Sequence, residues 1–309
     1  MRPFKFFSLL SILFTYLVIF IGGLVRVSGA GLGCPDWPKC FGRWIPPLHV
    51  SQLPAGFDPA SFNFALAWIE YINRLIGMTL GIFIVITMIL ALVHFRHILR
   101  VWLPSVLAAL LVAFQGWQGS RVVASELDPS TVTMHMVLAF IIISLLLYVY
   151  LQVHYMQFQA SVGTARYPRG MDWAVLALWI FTITQVLLGT QVRGAIELAQ
   201  RQFPLYRAVQ WLDNAGALDD IHMMLGGMVT MGGWIIGIIL LKYSKQAPLV
   251  FKQSTWAMMI ILLLQITVGL ILVLAGLPAL MQLLHLWLAS LLIGALLIQY
   301  TTLKQRERG

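Results

Sequence analysis

Three histidines, His135, His222 and His285, each lie about a turn or so inside the start of a long apolar run, and another run opens on "WIEYINRLIG" (68–77), which carries Glu70, Asn73 and Arg74. Ionisable groups in hydrocarbon cost at least roughly 2.5–3.5 kcal/mol and persist mainly where they serve a site. Two imidazoles at one level of a helical bundle can supply both axial ligands of a haem iron, and bundle cores are where such cofactors sit. His222 and His285 form such a pair. One His alone is as readily an interfacial side chain hydrogen-bonded to a neighbouring backbone; the pairing is what favours iron. Zinc asks for three or four protein ligands, and no third His or Cys accompanies the pair at that depth. His94, His97 and His154 fall at the opposite helix ends and His49 in a loop, where solvated positions are expected.

Four arginines, Arg26, Arg74, Arg121 and Arg193, cluster near the same level as the histidines. The planar guanidinium fork suits the paired carboxylates of haem propionates, although each can also snorkel to lipid headgroups. Glu70 shares a helix face with Asn73 and can pair with Arg74 or another interfacial arginine. The two cysteines, Cys34 and Cys40 in "CPDWPKC", occupy a Pro-rich outer loop, where a disulfide is expected; a redox role is a second reading. "HMMLGGMVTMGGW" reads as packing, with Met filling gaps and Gly226, Gly227, Gly232 and Gly233 allowing close helix approach. "FPLYRAVQWLDN", 203–214, reads as an amphipathic segment at the outer interface.

These residues require long helices to carry them. The chain is 60% hydrophobic and 10% charged, with a mean hydropathy of +0.87, which excludes a water-soluble globule. Apolar runs long enough to span, roughly 20 residues, begin near Phe6, Tyr71, Val101, Thr131, Trp173, Ile221, Thr255 and Met281. Eight transmembrane helices are therefore expected, in an all-α integral membrane protein. The first is read as a retained helix, because its apolar core exceeds the roughly 7–15 residues of a signal peptide. No Arg- and Ser-rich transit segment precedes it, which points to a bacterial plasma membrane.

Arg2, Lys5, Arg96, Arg100, Arg166, Arg169, Lys242, Lys245, Lys252, Lys304, Arg306 and Arg308 gather on one side, opposed there by Asp172 and Glu307. By the positive-inside rule that side, with both termini, is cytoplasmic, and the histidines lie toward the outer face. The net charge of +9 is thus a topology signal and not the footprint of a nucleic-acid partner.

The chain repeats its own plan. Gln115, Gly119 and His135 recur as Gln265, Gly269 and His285 at an offset of 150 (265 minus 115). An offset of 149 (222 minus 73) places Glu70, Asn73 and Gly77 on Asp219, His222 and Gly226, and an offset of 167 (189 minus 22) places Gly22 and Arg26 on Gly189 and Arg193. Two pseudo-symmetric four-helix bundles, 1–155 and 156–309, follow as a parallel repeat.

With these residues in view, the chain resembles the haem A synthase family of membrane enzymes. "GGLVRVSGAGLGCPDWPKCFGRWIPP" is similar to the family's stretch after the first helix, and "IEYINR" to its Glu-x-x-His-Arg motif, while "TVTMHM", "DDIHMM" and "LLHLW" fall where its later histidines stand. The resemblance implies oxidation of a ring methyl of haem O to a formyl, giving haem A for terminal oxidases, through successive hydroxylation and loss of water. It also implies Glu70 as catalytic carboxylate, His135 as a haem ligand in the N-terminal half, and His222 and His285 as ligands of haem B in the C-terminal half. Asn73 departs from it. Both the motif and the internal repeat place His there, and an amide is a poor iron ligand beside imidazole, so Asn73 marks a vacated ligand position and His135 is left to hold the N-terminal haem alone.

Two other classes fit the same histidines: a b-type haem electron carrier, and a haem transporter or chaperone that leaves haem unchanged. The expected partners are membrane lipid, a synthase delivering haem O, an electron donor that the sequence does not name, and a second copy of the chain.

Overall fold

Among the residues that the computed structural model describes (1–157, 167–243, 247 and 249–306), eight helices are long and apolar enough to cross a membrane. They are α1 (Arg2–Val27), α2 (Phe64–Phe95), α3 (Leu99–Ala124), α4 (Pro129–Gln157), α5 (Met171–Gln202), α7 (Ala217–Lys242), α8 (Leu249–Leu274) and α9 (Ala279–Arg306), with a short α6 (Ala208–Asp213) between α5 and α7. The protein is a multi-pass membrane protein by this count. Of the charges on the Lys- and Arg-rich side, Arg166, Lys245, Glu307 and Arg308 lie outside the described residues.

Each helix starts two to seven residues before its apolar run. The largest difference is at α2, which begins at Phe64 because the Asn63 side chain accepts a hydrogen bond from the Leu66 N–H at 3.2 Å. Such a cap satisfies a donor that the first helical turn leaves unpaired, and hydropathy does not register it. Asp128 does the same for α4, accepting from Ser130 and from the Thr131 N–H. The Ser130 hydroxyl, followed by the Thr131 N–H, holds the Asp128 carboxyl below the usual range.

The chain divides into two compact units, Met1–Leu146 and Leu147–Gly309, with the boundary inside α4. In the first, α1 packs on α2 and α2 on α3. Ser11 Oγ on α1 meets Thr87 Oγ1 on α2 at 3.3 Å, and Phe14 packs edge-on against Phe83. In the second, α5 touches α7 and α9, and α8 touches the same two helices, which closes a four-helix ring. Its core is Val175, Leu240, Phe251, Met258, Leu262 and Leu296. Close approach of α7 and α8 needs glycine: a Cβ on Gly233 would lie 2.4 Å from Leu262 Cδ1, and one on Gly237 would lie 2.8 Å from Met259.

The α7 methionines do not pack as expected. Met224, Met228 and Met231 are exposed, because steps of four and three put them on one helix face while Gly226, Gly233 and Gly237 take the opposite one. Segment 203–214 contains α6 (Ala208–Asp213), and Leu212 seats it on Val192 and Ile196 of α5. At the far end of the second unit, Tyr155 bonds Thr302 and Gln305 bonds Gln152, both at 2.5 Å.

Candidate functional site

His222 on α7 and His285 on α9 face each other across the ring, with imidazole centroids 6.3 Å apart and planes at 64°. That separation is about twice the sum of one metal–imidazole bond, ~2.0–2.1 Å, and the roughly 1 Å from ring edge to centre. The centroid separation is that of two imidazoles sharing one metal atom. Both Nδ1 atoms are buried without a hydrogen-bond partner. Among the described residues no three His, Cys, Asp or Glu side chains converge, so a bare divalent cation has no chelate here. A haem would need only two ligands from the protein, and His222 and His285 are the residues that could supply them.

Each imidazole is seated by a neighbouring helix. Gln185 on α5 donates from Nε2 to the His222 carbonyl at 2.6 Å, and Gln265 on α8 donates to that of His285 at 3.1 Å. In the first unit, Gln115 on α3 donates to the His135 carbonyl at 2.8 Å. One turn after each glutamine stands a glycine facing the ring: a Cβ on Gly189 would lie 2.9 Å from His222 Cε1, on Gly269 3.5 Å from His285 Cε1, and on Gly119 3.8 Å from His135 Cε1. The sequence displayed Gln115 and Gln265 as landmarks but not as donors, and Gln185 was missed.

Asn73 lacks this setting. Its Oδ1 is buried without a partner, and the space beside Gly22 and Gly77, the counterparts of Gly189 and Gly226, is open to 4 Å around the Cβ that each lacks.

Glu70, 4% exposed, is tied to the loop after α1. Its Oε2 accepts from the Cys34 N–H at 2.8 Å and its Oε1 pairs with Arg74. Arg74 in turn donates to the carbonyls of Asp36 and Lys39, both at 2.8 Å, and to that of Cys34 at 3.4 Å. The loop can come this close because residue 33 is glycine: a Cβ there would fall 2.4 Å from the Leu66 carbonyl oxygen. Cys34 and Cys40 form the expected disulfide, buried against Phe41 and Ala67. Of the arginines expected toward propionates, Arg74 therefore serves the loop, and Arg193 bonds Glu197 at 2.7 Å. Arg26 is half-buried and Arg121 exposed. His49, His94 and His97 are exposed, as expected, whereas His154 is half-buried and stacks on Tyr150.

Fold and site together define a multi-pass helical membrane protein with paired imidazoles facing each other inside a four-helix ring. The chain belongs to the COX15-CtaA family of cytochrome oxidase assembly proteins, whose model matches residues 5–297. Among its relatives is the heme A synthase of Shewanella oneidensis, 31% identical over 221 residues, a match spanning 70% of this chain and 65% of that protein. The heme A synthase of Rickettsia prowazekii is 24% identical with 96% of both chains covered, and that of Halalkalibacterium halodurans is 26% identical with 96% of this chain and 95% of the other covered. The resemblance carried by "IEYINR" and the Cys loop thus holds at the level of the family.

Proposed function

We infer that this protein is a haem A synthase, an oxidoreductase that converts a ring methyl of haem O to the formyl of haem A. The observation that carries the reading, beside family membership, is the facing His222–His285 pair, whose spacing suits one iron. His222 and His285 would hold haem B in the second unit, where it would supply one-electron chemistry. Haem O is the substrate of the first unit, where His135 is the one imidazole at the corresponding level. Arg26, Arg121 and Arg193 are the remaining candidates to hold the haem propionates, Arg74 being engaged by the loop after α1. The two four-helix halves are parallel repeats, both termini are cytoplasmic, and the haem sites lie toward the outer face of a bacterial plasma membrane.

Glu70 is the carboxylate of the substrate half. It is one turn from Asn73 on α2, and it keeps its acceptor oxygens aligned by the Cys34 N–H and Arg74. A fixed buried carboxylate can take up a proton from the substrate or stabilise positive charge developing at the oxidised carbon.

Extraction and chromatography of the haems from purified protein tests the reading. Haem O, a hydroxylated intermediate or haem A is expected beside haem B; haem B alone in protein made in cells that contain haem O would instead support an electron carrier or chaperone.

Asn73 gives a second expectation. The haem of the first unit should be high-spin or water-bound and accept carbon monoxide when reduced. Asn73→His meets open space at Gly22 and Gly77, so it should convert that haem to low spin and suppress carbon monoxide binding. Two low-spin haems in the unmodified, fully loaded protein would show that another residue supplies the second ligand.

A further inference from the structure

We propose that Gln115, Gln185 and Gln265 are positioning residues that set the depth and rotation of His135, His222 and His285 for axial ligation, an inference that rests on the haem reading above. The same module occurs three times. A glutamine amide on one helix donates to the main-chain carbonyl of the histidine on the next, and a glycine four residues after that glutamine faces the ring edge. The first contact fixes the histidine along the helix axis. The second limits the imidazole's swing: a Cβ at Gly189 would press on His222 Cε1 at 2.9 Å, and at Gly269 and Gly119 it would lie in van der Waals contact with the ring at 3.5 and 3.8 Å. A small residue four positions after each histidine completes the module: Gly226, Ala139 and Ala289. At Gly226 the reason is visible, because a Cβ there would lie 2.9 Å from Gln185 Nε2.

The polar groups match as well. In all three modules the glutamine Oε1 and the histidine Nδ1 are buried without partners. A buried amide is costly unless its groups are used, so three glutamines placed identically against three histidines need a common reason. Ligand positioning is that reason, because the position without a histidine lacks the glutamine too. Carried over by the offset of 167, Gln185 falls on Val18 (185 minus 167), four residues before Gly22 as Gln185 is before Gly189. Glutamine is present with each of the three histidines and absent where the fourth is missing.

Partners that orient a metal-ligating histidine typically contribute about 10–100-fold in metal affinity. In the full-length, haem-loaded protein, Gln185→Met and Gln265→Met should each weaken retention of haem B about 10-fold. A fraction of the low-spin haem should also become high-spin and bind carbon monoxide when reduced. Methionine keeps the length and packing of the side chain and removes the donor. Gly189→Ala should produce the same spectral change with the amide bond intact, because the new Cβ moves the His222 ring. His222→Ala is the reference. If it leaves the low-spin spectrum unchanged, the ligation reading fails and this inference with it. If it abolishes the spectrum while both methionine variants retain haem B as the wild type does and bind no carbon monoxide, the positioning inference alone is overturned. Should the methionine variants fail to accumulate in the membrane, Gly189→Ala decides, and an unchanged haem spectrum in that variant overturns the inference.

Discussion

Haem B is expected to lose its low-spin spectrum and at least about 100-fold in retention in protein carrying His222→Ala, and again in protein carrying His285→Ala. Outer partners of a metal site already contribute about 10–100-fold, and removing a ligand outright exceeds that. The rings are 6.3 Å apart on diagonal helices of a closed ring, so the loss of one leaves the other unable to complete the pair. The fold should survive, because the core of the ring is built from Val175, Phe251, Met258 and their neighbours. Absorption spectra of the purified variants at matched protein level provide the check. Unchanged low-spin spectra in both would remove the assignment.

Glu70→Gln should lower turnover by about 100-fold or more, the scale of a positioned proton-transfer group, while haem B stays bound. The structure adds a complication, because Glu70 also anchors the Cys loop through the Cys34 N–H and Arg74. The substituted amide would still accept from the Cys34 N–H through its oxygen but would lose the ion pair. Arg74→Gln separates the two roles: it releases the loop carbonyls and leaves the carboxylate. Turnover that falls far less in Arg74→Gln than in Glu70→Gln assigns the effect to the carboxylate. Equal losses, or near-normal haem A formation by Glu70→Gln at comparable protein level, would end its catalytic role.

The number of spans was legible because apolar runs of sufficient length count themselves. Their starts were not, because capping groups such as Asn63 extend a helix through residues that hydropathy does not register. The α7 methionines were assigned to packing by composition, whereas helical phase puts them outside. In the site, His222 and His285 could be paired from depth alone. Gln185 escaped because His222 follows it by 37 residues, with α6 intervening, whereas Gln115 and Gln265 each precede their histidine by 20. Its spacing of four to Gly189 was the available signal. Arg74 could not be placed, since its partners are main-chain carbonyls of residues 34, 36 and 39, and a sequence shows no main-chain acceptor.

The open space at Gly22 and Gly77 bears on how an imidazole could be acquired at position 73 by mutation. Asn and His codons differ at one base, and an imidazole there would meet no heavy atom within 4 Å of the Cβ positions of Gly22 and Gly77. Val18 is farther from glutamine, since every Val codon differs from every Gln codon at two bases or more. A lineage that acquired the histidine by Asn73→His in a single step would therefore carry it first without a glutamine clamp, as a loosely held ligand. The reverse order, Val18→Gln before Asn73→His, would offer an amide to the main-chain carbonyl of residue 73 before there is an imidazole to position, since the glutamine contacts at the three histidines are to main-chain carbonyls. The histidine is thus the change reached in fewer base substitutions, and the double variant Val18→Gln with Asn73→His is the end point of either order.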